Sequence, residues 1–123
     1  MEINKLTKKI IGCAIEVHKE PGPGLLESTY EQCLAREFKL NKINFEIQES
    51  LPIIYKGTKL DCGYRVGFLV ENTVIIELKS VDKIFEIHKA QLLTYMKLAK
   101  IEIGLLINFN ERLLKNGIQR FAL

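Results

Sequence analysis

The chain has 123 residues, 47% of them hydrophobic and 27% charged, with a formal net charge of +3. That length and balance predict one folded domain, residues 1–123, with a real hydrophobic core, and exclude a disordered or low-complexity chain. No apolar run reaches membrane-spanning length, and the first twenty residues carry charges throughout and lack a signal-peptide core, so a cytoplasmic protein is expected.

The elements follow in order. Leu6, Ile10, Ile11, Ala14, Ile15 and Val17 recur at helical spacing and predict a helix from about Asn4 to Lys19. Two prolines and two glycines in "EPGPG", Glu20 to Gly24, end it. A second helix is expected from about Leu26 to Leu40. "NFEIQESLPIIYKG" and "TKLDCGYRVGFLV" read as strands joined by a turn at Lys56-Gly57. A turn at Glu71 to Thr73 leads into the strand "VIIELKS", Val74 to Ser80. A third helix is predicted over Asp82 to Lys100, then an apolar strand over Ile101 to Phe109 and a short last one over Gly117 to Leu123. The order ααβββαββ predicts an α/β fold, a sheet flanked by helices. Cys13, Cys33 and Cys62 lie far apart with no CxxC spacing, which points to buried or half-buried free thiols rather than to zinc or a disulfide framework.

Several polar groups fall on faces where apolar ones belong. Glu77 and Lys79 alternate along an otherwise aliphatic strand and therefore share a face. Advancing the third helix by 100° per residue places His88, Gln91 and Tyr95 in one stripe, opposite a solvated side of Asp82, Lys83, Glu86, Lys89, Lys97 and Lys100. On the second helix Leu34 and Phe38 mark the apolar face, Tyr30 lies near its edge, and Glu27 falls on it with Glu31 beside. A carboxylate there is costly unless it is paired or holds a metal. Taken singly each residue has an ordinary explanation: Glu27 as a cap or ion-pair partner, Glu77 and Lys79 as an exposed cross-strand pair, His88 as a satisfied interior histidine, Gln91 and Tyr95 as hydrogen-bond partners of loop backbone. Taken together, on inward faces of three elements, they predict a shared polar pocket.

These residues carry a resemblance. "GLLESTY", Gly24 to Tyr30, resembles the signature of the small prokaryotic GxxExxY proteins, and "GYRVGFLV", "VIIELKS", "HKAQLLTYMK" and "IGLLINF" follow in that family's order over nearly the whole chain. The family resembles a minimal branch of the PD-(D/E)XK nuclease superfamily. The resemblance implies a restriction-endonuclease-like core, with a central mixed sheet between helices, and metal-dependent hydrolysis of phosphodiester bonds. It implies that Glu27 is the acid of the early helix and Glu77 the metal-binding acid of the ExK pair, with the Leu78 carbonyl adding an oxygen ligand. Lys79 would position or activate the attacking water, and Gln91 and Tyr95 would support the site from the following helix. Tyr30 and His88 complete the supporting set. The expected cofactor is magnesium or manganese: magnesium takes hard oxygen ligands and keeps several waters.

The chain departs from that family at one place. Where the family carries an aspartate in the strand before the ExK strand, this sequence reads "YRVGFLV", with Gly67 at the position. A three-residue turn at 71–73 sets residue 67 opposite Glu77. Asp61, six residues back, is roughly 20 Å away along an extended strand, and Glu71 lies near the turn. Weak metal binding and impaired cleavage are therefore expected, and a catalytically inactive module that keeps the fold to bind nucleic acid or protein is the competing expectation. The mild positive charge suits a nucleic-acid partner. Lys56, Lys59, Arg65, Lys83, Lys89, Lys97 and Lys100 are candidates for a backbone-tracking surface, although an ordinary solvated face explains most of the helix lysines. No sequence-reading motif is present, so recognition is expected to be backbone-directed. The sequence is also compatible with a homo-oligomer.

Overall fold

Glu2 starts the first helix. Its carboxylate accepts from the backbone N–H groups of Asn4 (2.9 Å) and Lys5 (3.2 Å), pairing two of the donors that a helix start leaves open. A computed structural model describes residues 2–123, apart from the side chains of residues 48–49 and 62–66; the expectations for Cys62 and Arg65 fall outside the described residues. Helix α1 spans Ile3–His18 and buries Leu6, Ile10, Cys13 and Ala14; α2 spans Glu27–Leu40 and buries Tyr30, Leu34 and Phe38 at i, i+4, i+8.

Strands β1 (Phe45–Tyr55) and β2 (Thr58–Val70) form a long antiparallel hairpin. Its two-residue turn has Lys56 and Gly57 at φ 47° and 78°, the double positive φ of the turn that matches strand twist. Thr73 N–H donates to the Val70 carbonyl (2.9 Å) and closes the next turn, so β3 (Val74–Lys79) runs antiparallel to β2. Helix α3 (Glu86–Ala99) then crosses over and delivers β4 (Ile103–Asn108) parallel to β3. After a short 3-10 turn at Leu114–Gly117, β5 (Ile118–Ala122) pairs antiparallel with β4. The mixed five-stranded sheet has the order β1-β2-β3-β4-β5.

Alternation along β3 and β4 divides the core. Val74, Ile76, Leu78, Leu105 and Ile107 face the layer made by α1 and α2, where Leu6, Ile10, Leu34 and Phe38 meet them. Ile75 and Leu106 face α3, where Leu92 and Met96 cover them. Each such fully buried side chain contributes about 1.5–3 kcal/mol, so both layers stabilise the two central strands. The architecture is the expected α/β, restriction-endonuclease-like one, with the predicted element order and both turns in place. Among the described residues no helix is long and apolar enough to cross a membrane.

Three expectations are corrected. The third helix begins at Glu86, not Asp82, because residues 81–82 are held to the end of β4: Val81 exchanges two hydrogen bonds with the Asn108 side chain (3.1 and 2.9 Å), and Asp82 accepts from Asn110 Nδ2 (3.2 Å). The inward axis of α3 runs through Leu92 and Met96; His88, Gln91 and Tyr95 lie half-buried along its flank, and Phe85 and Ile87 are exposed. Cys13 is buried as expected, but Cys33 is exposed on the outer side of α2.

Candidate active site

Glu77 is the one acid in the apolar strand β3, and it is buried, at 9% exposure. It shares the α3-facing side of the sheet with Ile75 and Lys79, and its neighbours in the parallel ladder are Leu106 for Glu77 and Asn108 for Lys79. Burial pushes the Glu77 carboxyl up to about 7 from an ordinary value of 4.5; Lys79 pulls it back down, and Glu27 and Glu31 push it further up. Glu27 and Glu31 are two acids one helical turn apart at the start of α2, which the fold sets against the end of β3.

Two sets of contacts fix that juxtaposition. Ser80, directly after Lys79, donates its hydroxyl to the Leu25 carbonyl (2.7 Å), which ties the end of β3 to the segment before α2. Tyr30 holds the same segment from the other side: its hydroxyl donates to the Gly22 carbonyl and accepts from Leu25 N–H (3.2 Å). Gly24, between them, takes φ +106°, a conformation that residues with a Cβ rarely adopt. The glycine and tyrosine of the "GLLESTY" stretch therefore shape the turn that presents Glu27. Beneath, Phe109 N–H donates to the Lys79 carbonyl (2.8 Å) and the Phe109 carbonyl accepts from His18 Nε2 (3.1 Å).

Placement of the remaining predicted residues differs in detail. Glu27 is exposed rather than buried on the apolar face, because it is the first residue of α2 and lies beyond the layer that Leu34 and Phe38 cover. Tyr30, expected near the edge, is fully buried. His88 closes the start of α3: Phe85 N–H donates to His88 Nδ1 (2.9 Å), and His88 N–H donates to the Phe85 carbonyl (3.0 Å). That gives His88 a capping role. Tyr95 packs against the Ile75–Leu92 core, and Gln91 is half-buried on the same helix. Among the described residues no hydrogen bond joins Gln91 or His88 to Glu77 or Lys79. Of the candidate surface lysines, Lys89 pairs with Glu86 at 3.2 Å.

Gly67 has a steric role. The ladder Val70↔Val74, Leu69↔Ile75, Phe68↔Ile76, continued by one residue, sets Gly67 beside Glu77. A Cβ at position 67 would lie 2.9 Å from the Ile76 carbonyl oxygen, closer than real Cβ atoms come to backbone. The glycine therefore permits a tight approach of β2 to β3, and no carboxylate reaches Glu77 from this position.

Sequence reasoning did not single out Ser80, Asn108, Phe109 or His18. Asn108 is 1% exposed and its amide holds both backbone groups of Val81 and the N–H of Asn110 (3.2 Å). Its one sequence signal is an asparagine at the end of a wholly apolar strand, a place where a polar side chain needs several partners.

The candidate donors, Glu77 and the acids of α2, offer carboxylate oxygens, the hard ligands that a divalent cation takes. They form a sparse set: among the described residues no group of three or more His, Cys, Asp or Glu side chains is close enough to hold a metal ion. Comparison with curated proteins and with solved structures gave no match. A family model described as the PD-(D/E)XK nuclease superfamily matches residues 4–121, which takes in Glu27, Gly67, Glu77 and Lys79. On that match, over nearly all of its length, the chain belongs to the PD-(D/E)XK nuclease superfamily.

Proposed function

We propose that this chain is a metal-dependent nuclease-like protein that hydrolyses phosphodiester bonds of nucleic acid, of the GxxExxY type, with catalysis impaired by Gly67. The observation that carries the reading is the buried Glu77 carboxyl on an otherwise apolar strand, with Lys79 two residues on and facing the same side. A purely structural strand gains nothing from such an arrangement, whereas a site for a divalent ion and a phosphate needs it. Glu77 and Glu27 would hold magnesium or manganese, with the Leu78 carbonyl as a further oxygen donor. When bound, the ion supplies charge stabilisation at the phosphoryl group and acidifies water.

The chain's own residues have distinct parts in this reading. Glu77 binds in its ionised form, so it must lose a proton that burial makes it retain. Lys79 places a compact ammonium on the same side of the strand, where it favours the ionised carboxylate and offers a partner to a phosphate oxygen. Gln91 and Tyr95, on the flank of α3, border that side of the sheet and support substrate placement. Glu31, one turn after Glu27, adds negative charge close to the site.

A second reading is a binding module that keeps the nuclease fold without cutting. The approach of Gly67 to the Ile76 carbonyl favours it, because the strand that would carry another carboxylate is too close to accept one without moving. A cleavage assay on single- and double-stranded DNA and RNA, with magnesium or manganese titrated to tens of millimolar, decides between them when run on the wild type, Glu77→Gln and Lys79→Ala. Metal-dependent cleavage lost in both variants supports the nuclease. Binding that survives in both variants, with no cleavage by any of the three, supports the module. Cleavage equal in all three ends the proposal for Glu77 and Lys79.

A further inference from the structure

Three basic side chains line a cavity of about 370 Å3 between the end of α1 and the 3-10 turn, with Gly22 in its wall. Its wall is formed by Lys19 at the end of α1, Arg112 and Lys115 around the 3-10 turn, and the backbone of Gly22. Ile15, Leu113 and Leu114 supply an apolar surface, and among the described residues no acid lines it. Lys19 pairs with Glu16 at 3.0 Å; among the described residues Arg112 and Lys115 have no ion pair, and both are exposed.

We propose that this cavity binds a phosphate of a nucleic-acid strand, with the attached sugar or base against Ile15 and Leu113, and so holds the strand beside the Glu77 site. The inference rests on the nucleic-acid reading above and adds a place where the strand lies. Three cations around an apolar floor complement a nucleotide unit, and a guanidinium matches phosphate oxygens in geometry as well as charge. The cavity is mechanically continuous with the site. His18, in its wall, bonds the Phe109 carbonyl, and Phe109 N–H bonds the Lys79 carbonyl; Gly22, also in its wall, bonds the Tyr30 hydroxyl. A strand anchored here is fixed relative to both Lys79 and the turn that presents Glu27.

The test is fluorescence anisotropy in EDTA with a 12-nucleotide single strand, with and without a 5′-phosphate, over a series of salt concentrations. The full-length wild type is compared with Arg112→Ala/Lys115→Ala and with a control pair on the outer face of α1, Lys8→Ala/Lys9→Ala. The expected result is an affinity loss of about tenfold or more for the first pair, and a log–log salt slope shallower by roughly 0.7, the loss of one phosphate contact on a single strand. The control pair should change affinity by less than about twofold. Loss seen only with the 5′-phosphate assigns the cavity to strand ends, and loss with both oligonucleotides to internal phosphodiesters. Equal loss in the two pairs, or no binding by the wild type, overturns the inference. Cleavage in the Glu77→Gln comparison reports separately on the nuclease reading. Equal urea midpoints for all variants confirm that folding is intact.

Discussion

Tyr30 stacks on Phe109, with ring centroids 4.6 Å apart and planes 19° from parallel. The pair joins the first turn of α2 to the end of β4, and each partner makes a second attachment: Tyr30 to Gly22 and Leu25, Phe109 to Lys79 and His18. Tyr30→Phe keeps the stack and removes the hydroxyl, leaving the Leu25 N–H and Gly22 carbonyl without that partner. The expected cost is about 1–3 kcal/mol in urea unfolding. If the protein cleaves nucleic acid, kcat should fall more than KM rises, since Glu27 loses its position and not its chemistry. An unfolding midpoint identical to wild type would show that the hydroxyl does not secure the turn.

The pH dependence of stability follows from Glu77. Its folded-state value of about 7 lies above the ordinary 4.5, so between those two pH values the folded chain holds a proton that the unfolded chain has released. Stability should therefore fall as pH rises from about 4.5 to about 7 and level off above, a loss of roughly 3 kcal/mol for this group. Glu77→Gln does not ionise and should avoid that loss. In EDTA the variant is expected to be the more stable protein at pH 8 and nearly equal to wild type at pH 4. Parallel stability curves for the two proteins would contradict the electrostatics assigned to the site.

A divalent ion should reverse this difference. Magnesium or manganese that binds the ionised Glu77 stabilises the folded state by mass action, so millimolar metal at pH 8 should raise the Tm of the wild type. The Tm of Glu77→Gln should not move. Manganese is expected to act at lower concentration than magnesium. A rise of equal size in both proteins would place the ion elsewhere.

At Gly67 a side chain meets backbone. Gly67→Ala should cost about 1–3 kcal/mol, because β2 or β3 must shift to relieve a 2.9 Å approach to the Ile76 oxygen. Gly67→Asp carries the same cost and adds a carboxylate next to Glu77, so it should be less stable still without metal. Its rescue by metal should exceed that of the wild type. Chemical denaturation with and without magnesium measures both effects, and a wild-type midpoint for Gly67→Ala would show that the strands part easily here.

Asn108 should prove as important to the site as the acids. Asn108→Ala removes three hydrogen bonds, two to Val81 and one to Asn110. With Phe109 N–H on Lys79, these hold the end of β3 in place. A loss of about 2–4 kcal/mol is expected, with faster hydrogen exchange at Val81 and Asn110.

The helices and strands were legible because their signals are local. Leu6, Ile10 and Ala14 declare a helical stripe, Lys56-Gly57 a hairpin turn, and the aliphatic runs around Glu77 and Leu106 two buried strands. The likeness of "GLLESTY" and "VIIELKS" to a known family added the order of the site residues. Where local reasoning went astray, another segment had intervened. Asn108 captures Val81 and delays the third helix to Glu86. His88 lies at the helical angle of an inward stripe, yet its ring closes the start of that helix, because the shortened helix makes it the third residue. Glu27 has the periodicity of the buried face but precedes the layer that covers it.

The sequence alone determined which residues are apolar in which period, and hence a sheet flanked by helices with an acid and a lysine on one side of an apolar strand. It also determined that position 67 has no carboxylate. The tertiary structure decided what those facts mean. Only packing shows that Glu77 is buried, that Tyr30 and Ser80 tie the start of α2 to the end of β3, and that Gly67 lies against the Ile76 carbonyl. The physical reason is range: periodicity and turn chemistry act over a few residues, whereas burial, charge and close approach depend on distances between segments tens of residues apart.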